Sequence, residues 1–408
     1  MPFLAVYLEV ERDVPLSIIG VTYLASGLLT LSSELLGGRM TDSIGPKKVM
    51  LMGYSSSVIS AALLGGLIQF KAPVGVILVV YPLFSLFRAV TQPATSAIIA
   101  NQADPRYVRV GFSLLNVGGN LGFAIGPAIG GVISQDYSYS IVFLFSATIA
   151  ATVGVITHFG IAPGLLPRIE GAAARYPKSV PRGLRLNEDR ALVLFLFLTL
   201  GAFLALGYEI TPLSLYVAGF LHFTNLEIGY LFALNGIVIA ILQLPLNKLL
   251  ERSRYLVLPL IISCAFTACS YFVASISANF QEYVLVMLIV TLGEIFLSVP
   301  SQTIVTLFSR SENRGTYQGY YFAASSSGRS LASFIGPLSF ALLAFSPGLA
   351  WILVGTFSLL LGFGYLLISG QLQRDYEMRR RGEETFKEAD SDAKFGQGQK
   401  SSTGLFDD

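Results

Sequence analysis

The sequence predicts an all-α polytopic membrane protein, and three observations support this fold class. Hydrophobic residues make up 53% of the 408 residues and charged residues only 13%, whereas a soluble domain carries about 25% charged residues. The mean hydropathy is +0.65. The apolar residues gather in runs long enough to cross a bilayer as helices, and the two halves of the chain repeat the same landmarks. Together these features predict two pseudo-symmetric bundles of membrane-spanning helices.

The apolar runs come first, because a spanning helix needs about 20 predominantly apolar residues. Eleven runs bounded by charged residues, glycine or proline meet this requirement. In chain order they are 16–36, 49–70, 74–99, 108–133, 140–160, 191–217, 228–249, 255–275, 282–307, 317–345 and 349–370. The segment 161–190 between the fifth and sixth runs is predicted to be a cytoplasmic linker, and the polar segment 371–408 a disordered cytoplasmic tail.

The positions of the basic residues predict the direction of the spans. Alternate crossings place all but four of the 27 Lys and Arg residues on one side of the membrane. Only Arg12 and Lys71 fall on the other side, and Arg88 and Arg329 fall within spans. Cytoplasmic loops carry the excess of Lys and Arg, so the linker and the C-terminus are expected in the cytoplasm.

The second half of the chain repeats the first, which predicts an N-terminal bundle over 1–160 and a C-terminal bundle over 191–370. The offset stays close to 209 residues along the whole length, as a parallel repeat requires. The matching landmarks are Tyr7 and Tyr216, Gly20 and Gly229, Asp42 and Glu251, and Pro127 and Pro337. Residues 1–8 match only the last third of span 191–217, so we expect the first helix of the first bundle to be truncated.

Several classes of function are disfavoured by what the chain contains. Cys264 and Cys269 share one apolar run at a spacing that fits neither a redox pair nor a metal site. The two histidines, His158 and His222, lie near the ends of different predicted helices. No metal site, no cofactor and no nucleophile–base pair is therefore expected, which argues against an enzyme. The formal charge of +2 gives no reason to expect a nucleic-acid partner.

Residues 38–48, which read GRMTDSIGPKK, lie between the first two spans. They resemble the cytoplasmic loop signature G-x-L-a-D-r-x-G-r-k of the major facilitator superfamily, whose members have two six-helix bundles around a central cavity. In that family the signature carboxylate, Asp42 here, latches the bundles when the cytoplasmic side is closed, and Gly45 is expected in a left-handed turn. The resemblance assigns a gating role between the bundles to Gly38, Asp42, Gly45, Lys47 and Lys48. Met40, Ser43 and Pro46 depart from the signature, which leaves this loop with fewer basic residues than the signature has.

Residues 122–131, which read GFAIGPAIGG, resemble the element G-x-x-x-G-P-x-x-G-G of antiporters in the same superfamily, notably multidrug–proton exchangers. The residues that carry the match are Gly122, Gly126, Pro127, Gly130 and Gly131. Glycines at every fourth position leave a bare ridge on a helix, and such ridges allow helices to pack closely. The element is therefore expected either to mark antiport or to serve ordinary helix packing.

Five charged residues fall within predicted spans away from the end positions, and a charge at the centre of a span costs about 2.5–3.5 kcal/mol on insertion scales. Arg88, Glu209 and Glu294 occupy positions corresponding to the fourth, seventh and tenth helices of the family, which line its central cavity. We expect Glu294 and then Glu209 to couple protons or contact substrate, with Arg88 as a counter-charge or anion contact; a structural ion pair is the alternative. Glu34 and Arg329 lie on helices that join the bundles and are expected either to form a gating or structural pair or to contact substrate.

The resemblance implies a secondary transporter that works by alternating access in the plasma membrane as a monomer. Proton-coupled antiport exporting small organic or drug-like molecules is the leading hypothesis, with the lipid bilayer, protons and a small-molecule substrate as partners. A proton-coupled symporter or a facilitator for a nutrient, such as a sugar, an organic acid or a peptide, is the alternative. A membrane-embedded enzyme or a sensor on the same fold is less favoured by the residues present.

Overall fold

The computed structural model of the chain describes residues 2–100, 105–161, 190–250, 255–308 and 314–402. Within these ranges the chain forms helices and contains no strand. The helices of the first half are α1 Pro2–Val6 with a π-helical continuation Tyr7–Glu11, α2 Leu16–Ile44, α3 Pro46–Gln69, α4 Val74–Ala89, α5 Thr91–Ala100, α6 Pro105–Asp136 and α7 Tyr139–Gly160. Apart from Ile161 and Arg190, the expected linker lies outside the described residues.

The second half contains α8 Arg190–Gly207, α9 Thr211–Gly219, α10 Asn225–Leu250, α11 Leu258–Ala274, α12 Phe280–Phe308, α13 Arg314–Leu342 and α14 Gly348–Ser402. The last helix continues to Ser402, through most of the segment after Gln371 for which a disordered tail is expected. That segment is rich in Glu, Arg, Gln and Lys, which favour helices, and Gln373 donates a hydrogen bond to Glu377 one turn later at 3.0 Å.

Local sequence determines where the helices begin. Pro46 occupies the first turn of α3, where its missing N–H is not needed. The turn before it has Gly45 at φ 89° and ψ 148°, a combination essentially restricted to glycine. At α10, Glu227 accepts a hydrogen bond from the Thr224 backbone N–H at 2.8 Å, and the Thr224 hydroxyl accepts one from the Glu227 N–H at 3.2 Å. This reciprocal pair is a capping box.

Among the described residues, eight helical segments are long and apolar enough to cross a membrane, and α11 is a shorter apolar helix. The predicted spans 108–133 and 317–345 correspond to α6 and α13, which have 32 and 29 residues. Both are long enough to span a bilayer but more polar than the eight, because they carry many Gly, Ser and Tyr residues. These two helices contact the opposite half of the molecule, where a less apolar surface meets protein instead of lipid.

The two halves pack against each other through α2 with α13, α6 with α10, and α1 with α9. Backbones meet at glycine: a Cβ at Gly131 would lie 2.6 Å from the Asn225 carbonyl oxygen, and one at Gly20 would lie 2.8 Å from that of Phe334. We call this end of the bundles, where Gly131 meets Asn225 and Gly20 meets Phe334, the closed end. Its loops include the two isolated basic residues Arg12 and Lys71.

Contact between α6 and α10 continues from the closed end to the middle of both helices. There Asn120 Nδ2 donates a hydrogen bond to Gln243 Oε1 at 3.1 Å. Beyond this bond, Leu114 on α6 and Leu249 on α10 are exposed. The described parts of the two halves are therefore joined from the closed end to mid-depth, and the leucines described farther along these helices are exposed.

Candidate functional site

Two of the spans are interrupted, one between α4 and α5 and one between α8 and α9. The second interruption places a carboxylate inside the bundle. The segment Arg190–Gly219 counts as one candidate span, but its helix stops at Gly207 and resumes at Thr211. Glu209 lies in the intervening turn, where its N–H bonds to the Leu206 carbonyl at 3.0 Å. Broken spans are tolerated where they are buried in protein or line a cavity. The Glu209 residue is 2% exposed.

A neighbouring glycine allows the third helix of the site to approach this break. A Cβ at Gly207 would lie 2.7 Å from the Ala332 Cβ and 3.1 Å from the Arg329 Cα. The bare Gly207 therefore brings the middle of α13 against the end of α8. This approach carries Arg329 toward the interior of the C-terminal half.

Glu294 is positioned by α12, whose close packing on α11 also depends on a glycine. The Ser263 hydroxyl donates a hydrogen bond to the Gly293 carbonyl at 2.7 Å, and a Cβ at Gly293 would lie 2.7 Å from the Thr267 Oγ1. The contacts of Gly293, the residue before Glu294, thus fix the depth and direction from which Glu294 projects. Position 294 is near the middle of the 29-residue helix.

An ion pair joins α12 and α13 near the middle of both helices. Arg329 Nη2 lies 3.5 Å from Glu294 Oε1, with the two side chains 35% and 15% exposed. The Arg329 guanidinium carbon also lies 5.0 Å from the centroid of the Phe203 ring, within the range of a cation–π contact. Partial exposure leaves this pair within reach of solvent or a ligand. The sequence prediction treated Glu294 as a cavity residue and Arg329 as a gating residue, and the structure brings these two together.

Asn235 on α10 links a third helix to the pair. Its Nδ2 donates hydrogen bonds to Thr291 Oγ1 at 2.9 Å and to Glu294 Oε2 at 3.2 Å. Both amide protons are used, and Asn235 Oδ1 is buried with no hydrogen-bond partner among the described residues. Glu209 Oε2 is buried without a partner in the same sense, and Glu209 interacts electrostatically with Glu294 and Arg329. The candidate site is this group: Glu209, Asn235, Thr291, Glu294 and Arg329.

The remaining predicted residues lie elsewhere. Arg88 is exposed in the last turn of α4, and within the described residues it makes no ion pair with either carboxylate. Lys47 donates hydrogen bonds to the carbonyls of His158, at 2.8 Å, and Ile161. Since α3 and α7 belong to the same half, this lysine closes the end of α7 and does not bridge the halves. Lys48 is exposed.

The other members of the predicted gating set are Glu34, Gly38, Asp42 and Gly45. The side chains of Glu34 and Asp42, and the surroundings of Gly38, lie outside the described residues. Gly45 has the positive φ that the turn was expected to require, although its ψ is extended instead of helical.

Only part of the glycine ridge of α6 makes close contacts in this structure. A Cβ at Gly122 or Gly126 would meet nothing within 4 Å among the described atoms, whereas one at Gly130 would lie 2.8 Å from the Phe3 ring. The close packing of α6 on α10 is made instead by Gly131 and by Ala124, which lies against Gly236, and around Pro127. Those residues turn toward α10 because helix faces repeat every three to four residues, and Gly122 and Gly126 lie on a different face.

Asn235 and Thr291 were missed by the sequence analysis. Ionisable residues within spans are the stronger signal of a site, and an uncharged amide in an apolar run is a weaker one. The available signal was the single Asn235 within the apolar stretch 228–242, because side-chain amides within spans usually bond to another helix.

Comparisons with known proteins agree with this architecture. Residues 1–333 match a family model described as Major Facilitator Superfamily. A Na(+), Li(+), K(+)/H(+) antiporter of Planococcus maritimus is 24% identical over 394 residues, covering 90% of each chain. Multidrug resistance protein MdtG of Salmonella paratyphi A is 30% identical over 281 residues, covering 64% of this chain and 66% of that protein. A crystal structure of a peptide transporter POT superposes with a TM-score of 0.73 at 17% identity over 91% of each chain, a likeness of fold.

Proposed function

The chain belongs to the Major Facilitator Superfamily, and from this premise we propose that it is a proton-coupled antiporter that exports small organic or drug-like molecules. It is a small-molecule transporter with many membrane spans and not an enzyme, as membership of this family establishes. The direction of transport and the coupling ion are the proposed part. The observation that supports them is the mid-depth pair of Glu294 and Arg329, tied to α10 by Asn235.

The proposed coupling uses the change of charge on Glu294. When ionised, this carboxylate attracts the Arg329 guanidinium and accepts a hydrogen bond from the Asn235 amide N–H. Protonation removes the charge, which weakens both contacts and frees α12 and α13 to move relative to each other. A substrate that competes for Arg329 and Asn235 would then exchange with the proton, because the site can hold the substrate or the proton but not both at once. This is coupling by differential binding to two states.

The proposed orientation follows from the basic residues. If the closed end faces outward, as the scarcity of Lys and Arg there suggests, then the conformation described here is open toward the cytoplasm. It would collect substrate from the inside and release it outside after the bundles rock about the site. The name of one relative, a cation/H(+) antiporter, supports antiport over symport for this chain, and the name of another, a multidrug resistance protein, supports drug-like substrates.

The test uses inside-out vesicles with an acid interior, loaded with a pH-sensitive dye. We expect at least one compound from a lipophilic panel to cause proton release, with that release lost in Glu294→Gln and kept in Glu11→Gln, whose carboxylate is exposed. Collapse of the proton gradient should stop export. Export that continues without the gradient would contradict proton coupling, and substrate-driven proton uptake in the symport direction would favour the nutrient symporter instead.

A further inference from the structure

A carboxyl group lies in the contact between the two halves at the closed end. Glu9 belongs to the π-helical segment Tyr7–Glu11, a kind of helix that is rare and is frequent at functional sites. A Cβ at Gly219, on α9 of the opposite half, would lie 2.8 Å from the Glu9 Cδ and 3.2 Å from its Oε2, with Oε1 closer still. The carboxyl therefore occupies the space that the missing side chain of Gly219 leaves free.

The contact does not compensate a negative charge on Glu9. Its Oε2 is buried and has no hydrogen-bond partner among the described residues. Arg12, the nearest cation in sequence, instead donates hydrogen bonds of 2.8 Å to the Tyr7 hydroxyl and to the Ala72 carbonyl. A buried carboxylate without a charged partner is strongly destabilised, and such a group usually becomes neutral. The geometry of the closed end thus favours the protonated form of Glu9.

The other titratable groups around this segment leave Glu9 without an ion-pair partner among the described residues. The groups on the elements that pack against the segment or against Tyr7 are tyrosines, which are neutral at physiological pH: Tyr216 on α9, Tyr23 on α2 and Tyr139 on α7. The rest of this end carries the exposed Lys71 and His222 and the acidic residues Glu11, Asp13, Asp136 and Glu227. Histidines as a class titrate between pH 5 and pH 8, so His222 needs its own control.

Opening of the closed end would remove this burial. The π-helical segment and α9 belong to opposite halves, so any cycle in which the halves separate here parts Glu9 from Gly219 and admits water to the carboxyl. Water stabilises the ionised form of a carboxyl group. The closed and open conformations therefore differ in proton affinity at this one group, and proton binding and closure favour each other reciprocally.

We propose that Glu9 is a proton-binding site of the closed end: its carboxyl takes up a proton from water when the two halves close there and releases it when they separate. Acid on the membrane face beside the closed end then holds this end shut, and alkaline pH promotes its opening. The site is separate from Glu294, which lies at mid-depth in the C-terminal half. The inference therefore goes beyond the proposed antiport and does not depend on it.

The size and sign of the effect follow from the two proton affinities. Burial raises the pKa of the Glu9 carboxyl from 4.5 to about 7 in the closed conformation, and exposure to water would return it to the ordinary value. The ratio of closed to open molecules is then constant below about pH 4.5 and falls as the pH rises toward about 7. Its total decrease is at most about 300-fold, since each pKa unit corresponds to a factor of ten.

The experiment measures the distance between the halves as a function of pH, in lipid nanodiscs without substrate. Phe70 follows α3 and Ile276 follows α11, both at the closed end, and they are 85% and 84% exposed. Phe70→Cys and Ile276→Cys, in a background of Cys264→Ser and Cys269→Ser, can therefore carry spin labels on opposite halves. We expect the ratio of short to long distances to fall at least tenfold between pH 5 and pH 8.5.

The variants assign this response to one carboxyl group. Glu9→Gln keeps the shape of the side chain but cannot ionise, so it should remain closed at pH 8.5 and lose the response. Glu11→Gln and His222→Gln should respond like the parent protein. The loss caused by Glu9→Gln should be equally large in a Glu294→Gln background, where the mid-depth carboxylate cannot titrate.

Three outcomes would overturn the proposal: distances in the folded parent protein that do not change with pH, a response that survives Glu9→Gln, and a response abolished by His222→Gln. If Glu9→Gln does not fold, Glu9→Ala takes its place and should also lack the response. Proton-coupled export by a protein whose distances ignore pH would reject only this proposal. A Glu9-dependent response in a protein without proton-coupled export would reject only the proposed function.

Discussion

Glu9 is a single residue whose protonation is expected to affect the closed end. It lies in the π-helical segment before α2, outside the eight spans, and Oε2 has no hydrogen-bond partner among the described residues. A Cβ at Gly219 would lie 2.3 Å from Glu9 Oε1, so the carboxyl packs against the end of α9 in the opposite half. Burial raises the pKa of the Glu9 carboxyl from 4.5 to about 7.

The groups around Glu9 do not offset this burial. Arg12, the nearest cation in sequence, donates hydrogen bonds to the Tyr7 hydroxyl and the Ala72 carbonyl, both at 2.8 Å. The ionisable side chain of the facing helix α9 is Tyr216, which is neutral at physiological pH. Glu11 and Asp13, which follow in the chain, are acidic and supply no positive charge.

The pH dependence that follows has a definite sign. The folded pKa of Glu9 exceeds its unfolded value, so its contribution to stability is complete below about pH 4.5 and is lost as the pH rises to about 7. One pKa unit corresponds to about 1.4 kcal/mol, which makes about 3 kcal/mol the upper limit. We expect the thermal midpoint of unfolding to fall between pH 5 and pH 7.5. Glu9→Gln should flatten this slope, and Glu11→Gln should leave it; equal slopes in all three proteins would contradict the assignment.

The packing of α6 on α10 is a property of these two elements and depends on which glycine is changed. We expect Gly131→Val to destabilise the described conformation by about 1–3 kcal/mol, the usual cost of overpacking, because its Cβ would lie 2.6 Å from the Asn225 carbonyl oxygen. Transport should fall at least tenfold. The measurements are the thermal midpoint of unfolding and the initial rate of substrate export.

Gly122→Val on the same helix is the matched control, since a Cβ at Gly122 would meet nothing within 4 Å among the described atoms. Its midpoint and rate should remain close to those of the wild type. If Gly122→Val proved as damaging as Gly131→Val, the face that α6 turns toward α10 would be different from the one described.

Transport should stop when the two halves are cross-linked to each other at the closed end. Tyr139 on α7 and Asn225 on α10 exchange hydrogen bonds of 2.7 and 2.9 Å across the two halves. In a background of Cys264→Ser and Cys269→Ser, the pair Tyr139→Cys and Asn225→Cys joined by a short thiol cross-linker should lose at least nine-tenths of its transport. A reducing agent should restore it if the linker is cleavable.

Each single cysteine variant treated with the same reagent is the control for that experiment and should keep its activity. Full transport by the cross-linked pair would contradict a cycle in which the two halves separate at this end. The same samples, separated by size, also test the expectation that the working unit is a monomer.

The sequence by itself determined the fold class, the two-bundle repeat and most of the helix positions. Length and hydropathy suffice for this because a bilayer admits few structures, and every backbone polar group within it must be paired in a helix or a closed barrel. Glu209, Glu294 and Arg329 were found in the same way, since an ionisable residue in an apolar run is rare. The same reasoning is weaker for the tail beyond Gln371, because polarity indicates the absence of a core but does not prevent a helix.

Only the tertiary structure decided which of these residues meet. Helices that are adjacent in space need not be adjacent in sequence, so no spacing rule pairs Glu294 with Arg329 or brings Asn235 to both Thr291 and Glu294. Arg88 satisfied the same sequence criterion and lies apart from this group. The direction of each helix face was likewise set by packing: Gly131 and Gly122 are alike in the sequence, and the rotation of α6 against α10 made one a contact and left the other open.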